Sequence, residues 1–406
     1  MIMQYPPQKN LPHLTGIRAI AAYFVLFGHF FDARFSHGIY PLFHEYAVIW
    51  DYLGMSIFFV LSGFVITYSY YELFTKEKWS IASKKFFVAR FARLYPLYIF
   101  VLILQPYIVV PALYYATNME RLSFLTLTQS WFNLQHVVFA SAWSISTEWF
   151  FYWAFALFMG VISIIGLAHA TSYNRVRALS LNFTVVFLLI LYIIFIYREP
   201  LTNFLTAYIT HRNNRLVWGW ISYFSPFVRI GEFILGAFAA RLYMLSSHKT
   251  DSSKQTKNKS IRLFVISMLC IALLGLYNVT YHGYGTFLYF LTNNFGFAPF
   301  IAYILYASCR YPGRFTRWCS HRWMVAGGEI SYSLYMMQFI IFYWPLYTLF
   351  PKPEWYEPTT SEWFIVSFSV LFYIVITTFV SKLTYRFIEI PSRHYIRKKF
   401  DVHLKR

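Results

Sequence analysis

The first apolar run of the chain, LPHLTGIRAIAAYFVLFGHFF (residues 11–31), contains two ionisable side chains, Arg18 and His29. Their spacing of eleven residues is close to three helical turns, which would place both on one face, about 16 Å apart and in one groove. Histidine exchanges protons near neutral pH and arginine keeps its charge, so the pair is suited to proton transfer and anion binding. The alternatives are an arginine that reaches the membrane interface and a histidine that only joins neighbouring helices.

The composition is that of a membrane protein. Of 406 residues, 58% are hydrophobic and 13% are charged, with a mean hydropathy of +0.47, whereas soluble domains carry roughly 25% charged residues. A helix needs about 20 mostly apolar residues to cross the hydrocarbon. We therefore predict an all-α polytopic membrane protein with ten spans, at residues 14–34, 47–70, 94–116, 147–168, 181–197, 223–245, 262–281, 286–308, 328–349 and 362–384. The fifth of these is short, and Pro226, Arg229 and Glu232 interrupt the sixth.

The net charge of +19 is unevenly distributed along the chain. Basic residues are concentrated in every second segment between the spans; Lys84 and Arg90, for example, follow the second span. The remaining segments contain few basic residues. By the positive-inside rule, both termini are predicted to be cytoplasmic. The excess of basic residues then reflects topology, and we expect no nucleic-acid partner. Among the segments predicted to lie outside, the one after the fifth span has the most basic residues, Arg198, Arg212 and Arg215.

Several other signals are absent from the sequence. The first apolar run is too long for a cleaved signal peptide, so it is expected to remain as a span. The three cysteines, Cys270, Cys309 and Cys319, lack metal-ligand spacing, and we expect no metal site, no disulfide framework and no tightly bound cofactor. Residues 246–260 are polar and are predicted to form a flexible linker. We expect one transmembrane domain over residues 1–393 and a basic cytoplasmic tail at 394–406.

Seven sequence blocks occur in the order typical of one family. The first is LTGIR (14–18) with the spacing from Arg18 to His29, and the others are GMSIFFVLSGFVIT (54–67), ARFARLYP (89–96), WSISTEWFFY (143–152), RIGEFILGAF (229–238), GEISYSLYMMQ (328–338) and YRFIEIPSR (385–393). From Leu11 to Arg393 the chain thus resembles the acyltransferase-3 family of membrane O-acyltransferases. One block differs, because it ends in Gln338 where the family often has histidine. Glutamine cannot transfer a proton near neutral pH, so we expect no acid–base role there.

This resemblance implies transfer of an acyl group, usually acetyl from acetyl-CoA, to a hydroxyl of an envelope glycan such as lipopolysaccharide O-antigen or exopolysaccharide. The expected partners are cytoplasmic acyl-CoA as donor substrate, the glycan acceptor and the lipid bilayer of the bacterial inner membrane. Arg90 and Arg93, at the inner face, would bind the anionic donor, or else would only anchor the helix by the positive-inside rule. A transporter or flippase, and an acyltransferase that acts on a lipid or other small acceptor, are the alternative functions.

Acyl transfer to a hydroxyl requires a base, and His29 is the candidate, acting directly on the acceptor or carrying the acyl group as a covalent intermediate. Arg18 would hold the donor's charge or a partner carboxylate. Two carboxylates are candidates to orient the histidine. Asp32 lies one turn beyond it, unless it is only a solvated helix end, and Glu148, which the resemblance favours, lies near the outer end of the fourth span.

Other polar groups in the spans are candidates for supporting roles. Trp143 is predicted to form a pocket wall and Ser144 to donate a hydrogen bond. Ser331 and Tyr332 belong to a hydroxyl-rich face of the ninth span that supports the site or only joins helices. Two further pairs are expected to neutralise each other, Arg229 with Glu232 and Arg386 with Glu389.

Overall fold

The computed structural model describes residues 10–34, 41–108, 116–132, 142–164, 172–207, 213–246, 254–281, 285–349 and 360–400. Within these ranges the chain is almost entirely helical and has no strand. Seven helices are long and apolar enough to cross a membrane, at Ile49–Lys76, Trp79–Leu104, Trp143–Ile164, Tyr173–Ile196, Lys257–Asn278, Phe287–Arg310 and Val370–Lys399. The prediction of an all-α polytopic membrane protein is thus confirmed, whereas the number of ten spans and the location of the termini stay predictions.

The helices are numbered here in chain order. They are α1 (Pro12–Arg34), α2 (Pro41–Lys76), α3 (Trp79–Ile108), α4 (Asn118–Leu125), α5 (Trp143–Ile164), α6 (Tyr173–Ile196), α7 (Arg198–Leu205), α8 (Asn214–Gly219), α9 (Pro226–Ser246), α10 (Lys254–Tyr281), α11 (Phe287–Asn294), α12 (Ala298–Arg310), α13 (Arg314–Cys319), α14 (Arg322–Glu329), α15 (Ser331–Leu349), α16 (Thr360–Thr384) and α17 (Ile390–Lys399). A 3₁₀ turn forms at Gln129–Phe132, and π-helical turns form at Trp220–Phe224 and Tyr385–Glu389. The three expected spans outside the seven apolar helices lie in α1, α9 and α15.

The third expected span differs most from the prediction. Its helix, α3, begins at Trp79 instead of residue 94 and ends at Ile108. Phe86 and Ala89 are fully buried among the basic residues of this segment, and this apolar face continues the helix towards its N-terminus. Arg90 therefore lies within a helix that packs against its neighbours, and the segment is not the cytoplasmic loop that the sequence predicted.

Three other boundaries also shift. Pro226 begins α9 instead of interrupting it, because a first-turn proline lacks only an N–H that would be unpaired in any case. The predicted flexible linker at 246–260 is helical from Lys254 onward, and residues 247–253 lie outside the described ranges. The expected tail at 394–406 begins inside α17, which packs against α3.

Helices α2 and α9 pack with their backbones in close contact. A Cβ atom added at Gly63 would lie 1.9 Å from the carbonyl oxygen of Phe233, and one at Gly236 would lie 1.9 Å from that of Val60. Only glycine fits at such a crossing, as in other helix pairs of membrane proteins. Since α1 packs against α2 in turn, this crossing helps to set the position of α1, the helix that carries both Arg18 and His29.

We expect Gly236→Ala to destabilise the protein, since the new methyl group would force two backbones apart. Overpacking of this kind costs about 1–3 kcal/mol or more. Gly219→Ala is the matched control, because a Cβ there meets nothing within 4 Å. Thermal unfolding of the two purified variants in detergent measures the difference, and equal midpoints would contradict the packing described for α2 and α9.

Candidate functional site

Seven of the residues singled out in the sequence line one small cavity of about 70 Å³ between α1, α2, α3, α5 and α15. They are Arg18, Arg90, Arg93, Ser144, Glu148, Ser331 and Tyr332. Three cations and one carboxylate around one space leave an excess of positive charge. We call this space the arginine cavity. Such a lining attracts an anion and polarises a carbonyl oxygen placed against it.

Arg90 is held firmly inside the bundle. Its side chain is only 8% exposed, its Nη2 donates a hydrogen bond of 2.8 Å to the hydroxyl of Tyr70, and its guanidinium lies over the rings of Tyr70 and Tyr152 at 5.0 and 5.8 Å. The interpretation of Arg90 as a surface anchor is therefore wrong. Arg18 lines the same cavity, which also disagrees with its interpretation as a residue that only reaches the interface.

Glu148 faces the arginines. Its Oε1 accepts hydrogen bonds from Ser62 Oγ at 3.0 Å and from the Tyr152 hydroxyl at 2.7 Å. The negative charge of Glu148 attracts the Arg18 guanidinium, whereas the positive charges of Arg90 and Arg93 repel it. The prediction that Glu148 orients His29 does not match this placement. Glu148 lies five residues into α5, about 7 Å along the helix from Trp143, and so it faces a different cavity from the histidine.

His29 lines a second, larger cavity of about 740 Å³, which we call the histidine cavity. Its wall includes Asp51, Trp143, Tyr223 and Phe339. The prediction that Arg18 and His29 share one groove is therefore wrong, although both belong to α1. About 16 Å of helix separates them, and α1 passes one cavity at each position.

The partner of His29 is Asp51. His29 Nε2 lies 3.5 Å from Asp51 Oδ1, the Tyr223 hydroxyl donates a 2.6 Å hydrogen bond to Asp51 Oδ2, and the ring of Phe339 lies 4.6 Å from the imidazole. A carboxylate so placed orients an imidazole and stabilises its protonated form. Neither Asp51 nor Tyr223 was among the candidates predicted from the sequence. The signal was present for Asp51, which is the only charged residue in the expected span 47–70.

Asp32, the other candidate to orient His29, belongs to α1, but its side chain lies outside the part of the structure that is described. Its role stays a prediction. Gln338 is fully buried in α15. In the residues that are described, no group of three or more His, Cys, Asp or Glu side chains is placed to hold a metal ion.

The two cavities are separated by a partition about one helical turn thick. On α5, Trp143 lines the histidine cavity and the next residue, Ser144, lines the arginine cavity. On α15, Tyr335 lines the arginine cavity, and Phe339, four residues or about 6 Å further along the helix, lines the histidine cavity. Ser144 Oγ donates a 2.7 Å hydrogen bond to the Tyr335 hydroxyl. Trp143 and Ser144 therefore have the expected contacts, as a wall and as a hydrogen-bond donor.

A buried ion pair supports this partition. Arg229 Nε lies 3.1 Å from Glu232 Oε2, and both side chains are fully buried, so the prediction that they neutralise each other is confirmed. The Arg229 guanidinium also donates a hydrogen bond to the carbonyl of Asn293. It lies 5.9 Å from the Trp143 ring and 5.4 Å from the Tyr223 ring. The pair thereby holds both the wall residue and the tyrosine that binds Asp51.

Two hydroxyl groups on the hydroxyl-rich face of α15 donate hydrogen bonds to neighbouring parts of the chain. The Tyr332 hydroxyl donates a 2.6 Å hydrogen bond to the carbonyl of Leu94, and Ser333 Oγ donates one of 3.1 Å to Glu389 Oε2. The partner shown for Glu389 is thus a serine, and the guanidinium of Arg386 lies over the Phe387 ring at 5.7 Å. These contacts join α15 to α3 and to the turn before α17.

Comparison with known proteins identifies one family over most of the chain. The model of the acyltransferase-3 family, described as an acyltransferase domain, matches residues 11–385. "Protein 2 in picA locus" of Rhizobium radiobacter is 38% identical over 102 residues, which is 25% of this chain and 47% of that protein. An uncharacterized protein of Haemophilus influenzae is 25% identical over 271 residues, which is 62% of this chain and 93% of that protein. No solved structure matches the chain.

We expect Glu232→Ala to lower the free energy of unfolding by about 3–5 kcal/mol, because it leaves the Arg229 charge buried without its carboxylate. The control is Glu72→Ala, which breaks a pair of 2.7 Å with Lys76, whose side chain is 63% exposed. A surface pair of this kind contributes at most about 1 kcal/mol. Denaturation of both variants in detergent gives the comparison, and similar losses would show that Arg229 does not depend on Glu232.

Proposed function

We propose, from the premise that the chain belongs to the acyltransferase-3 family of membrane acyltransferases, that this enzyme transfers an acyl group, most simply acetyl, from cytoplasmic acyl-CoA to a hydroxyl of a cell-envelope glycan. One observation carries the proposal. A cationic cavity and a cavity containing a His–Asp pair lie back to back across a partition of one helical turn. An anionic donor and a polar acceptor can then approach the same point from opposite sides.

The arginine cavity supports the donor half of the proposal. Acyl-CoA is a polyanion, and Arg18, Arg90 and Arg93 supply positive charge that only Glu148 offsets within this lining. A volume of about 70 Å³ suits the acyl thioester end and is too small for the nucleotide. We therefore place the thioester in the cavity, where the guanidinium groups polarise its carbonyl, and the nucleotide towards the cytoplasm.

The histidine cavity supports the acceptor half. Its volume of about 740 Å³ is within the range of roughly 300–1,000 Å³ common for ligand pockets. His29 Nδ1, the ring nitrogen that does not face Asp51, removes the proton of the acceptor hydroxyl as its oxygen attacks the thioester carbonyl, and Asp51 stabilises the imidazolium that forms. The C–S bond then breaks, and the CoA thiolate takes up the proton. In the alternative route, His29 is acylated first and the acceptor attacks the acyl-imidazole.

The partition must let the two reacting atoms meet. Trp143 and the Ser144–Tyr335 hydrogen bond lie between the cavities, so the acyl end passes beside these side chains to reach His29. In this proposal, the two hydroxyl groups also stabilise negative charge on the thioester oxygen as it develops. Burial of this point among aromatic rings excludes water, which would otherwise hydrolyse the donor.

His29→Ala and Asp51→Asn should each reduce acyl transfer, the first by about 10²- to 10⁴-fold as is typical for loss of a general base. Mass spectrometry of envelope glycans from cells with each variant, the wild type or no gene measures the acyl content. His321→Ala is the control, since His321 is exposed and precedes α14. Wild-type acylation by His29→Ala at normal expression would overturn the mechanism, and a change in a lipid or small molecule instead of a glycan would reassign the acceptor.

Replacing Arg90 and Arg93 together by Ala should raise the KM for acyl-CoA, because the donor loses two cationic contacts. Replacement by Lys should rescue only part of the effect, since an ammonium group lacks the planar fork of guanidinium. Lys84→Ala changes an exposed cation on the same helix and should leave the KM unchanged. An unaltered KM in a folded double variant would remove these arginines from the donor site.

A further inference from the structure

The histidine cavity continues into a neighbouring recess of about 390 Å³. The two spaces share Arg198, Trp218 and Arg215 in their linings. These residues come from α7 and α8, and Trp218 is half-buried while Arg215 is exposed. The entrance to the proposed acceptor site is therefore lined by two guanidinium groups.

Arg198 is oriented by its surroundings. Its Nη1 donates a 3.2 Å hydrogen bond to the carbonyl of Phe195, and its guanidinium lies over the Phe195 ring at 4.8 Å. Phe195 itself lines the histidine cavity. These two contacts hold the guanidinium at the cavity wall, and a fixed planar fork is suited to binding a carboxylate or phosphate.

The two arginines have no acidic partner in the ranges that the structure covers. No carboxylate lies in ion-pair contact with Arg198 or Arg215 there. Glu199 lines the recess but is exposed to solvent. In the histidine cavity, Asp51 is already engaged by His29 and Tyr223. With two guanidinium groups and the one carboxylate of Glu199, the lining of the recess thus has a net charge of +1.

This charge also departs from the pattern of the rest of the sequence. The segment after the fifth expected span carries more basic residues than any other segment that the charge pattern places outside. Basic residues are generally depleted there, so topology does not account for them. A binding site for an anion at this entrance would explain why these basic residues are present.

Beside the arginines lies an aromatic surface. Trp218 stacks on Phe290 with ring centroids 5.3 Å apart and an angle of 23°, and both line the histidine cavity. The hydroxyls of Tyr52 and Tyr289 lie 3.2 Å apart in the same wall. A pyranose ring combines an apolar face with hydroxyl groups at its edge, and a wall of aromatic rings with hydroxyls complements both.

We propose that Arg198 and Arg215 form a subsite for an anionic group of the acceptor, so that the enzyme selects a sugar carrying a carboxylate or a phosphate. The inference rests on the proposed function. The anion is held at the entrance, the adjoining sugar lies against Trp218, and the chain of the glycan presents a neutral hydroxyl to His29. These arginines are specificity-determining residues and take no part in proton transfer.

The test is a binding measurement with the purified full-length protein in nanodiscs of neutral lipid. Fluorescence anisotropy compares labelled tetragalacturonate with labelled maltotetraose, which is neutral. We expect the acidic sugar to bind at least about tenfold more tightly, as charge-assisted hydrogen bonds would produce, and the difference to shrink as salt is added. Competition by glucose 1-phosphate or by glucuronate, each against glucose, distinguishes a phosphate subsite from a carboxylate subsite.

The variant Arg198→Gln/Arg215→Gln should bind both tetrasaccharides equally. Its matched control is Arg175→Gln/Arg177→Gln, which removes two exposed arginines near the opposite end of α6 and should keep the preference. The subsite is wrong if the wild type binds acidic and neutral sugars equally, or if both double variants lose the preference alike. An acidic preference in a protein that transfers no acyl group would instead overturn the proposed function and leave the subsite standing.

Discussion

The guanidinium of Arg229 is the contact on which the geometry of both cavities depends. It is fully buried, paired with Glu232, and lies against the rings of Trp143 and Tyr223. Trp143 belongs to the partition, and Tyr223 holds Asp51 beside His29. A buried ion pair adds little net stability by itself. Its effect here is positional, because one planar cation fixes two aromatic rings that come from different parts of the chain.

Much of the arginine cavity was predictable from the sequence, because its residues occur in short blocks with regular spacing. The blocks around Arg90, Glu148 and Ser331 all contribute residues to the lining of this cavity. How deeply these residues lie in the helix bundle was harder to predict. Basic residues at the start of α3 resemble a cytoplasmic loop in composition, and only the buried apolar side chains between them, such as Phe86, show that the helix continues.

The composition of the histidine cavity was not predictable in the same way. Helical periodicity placed Arg18 and His29 on one face of α1, but a long helix passes more than one cavity, so a shared face did not mean a shared site. The pairing of His29 with Asp51 depends on how α1 packs against α2, which is a tertiary contact. Tyr223 comes from a π-helical turn, whose irregular backbone has no periodic signal in sequence.

The thin partition between the cavities has an electrical consequence. A membrane potential falls across the layer that excludes water, and water in both cavities would reduce that layer from the roughly 30 Å of a bilayer to about one helical turn of 5.4 Å. The local field would then be several times stronger than in the surrounding lipid. Moving one full charge through it costs about 2.3 kcal/mol per 100 mV, and an acyl group that leaves its bonding electron pair on the thiolate is formally transferred as a cation. In the proposed reaction, the hydroxyl proton passes to this thiolate as the acyl group passes to the hydroxyl oxygen, so the two displacements of charge cancel and the reaction as a whole does no net work against the membrane voltage.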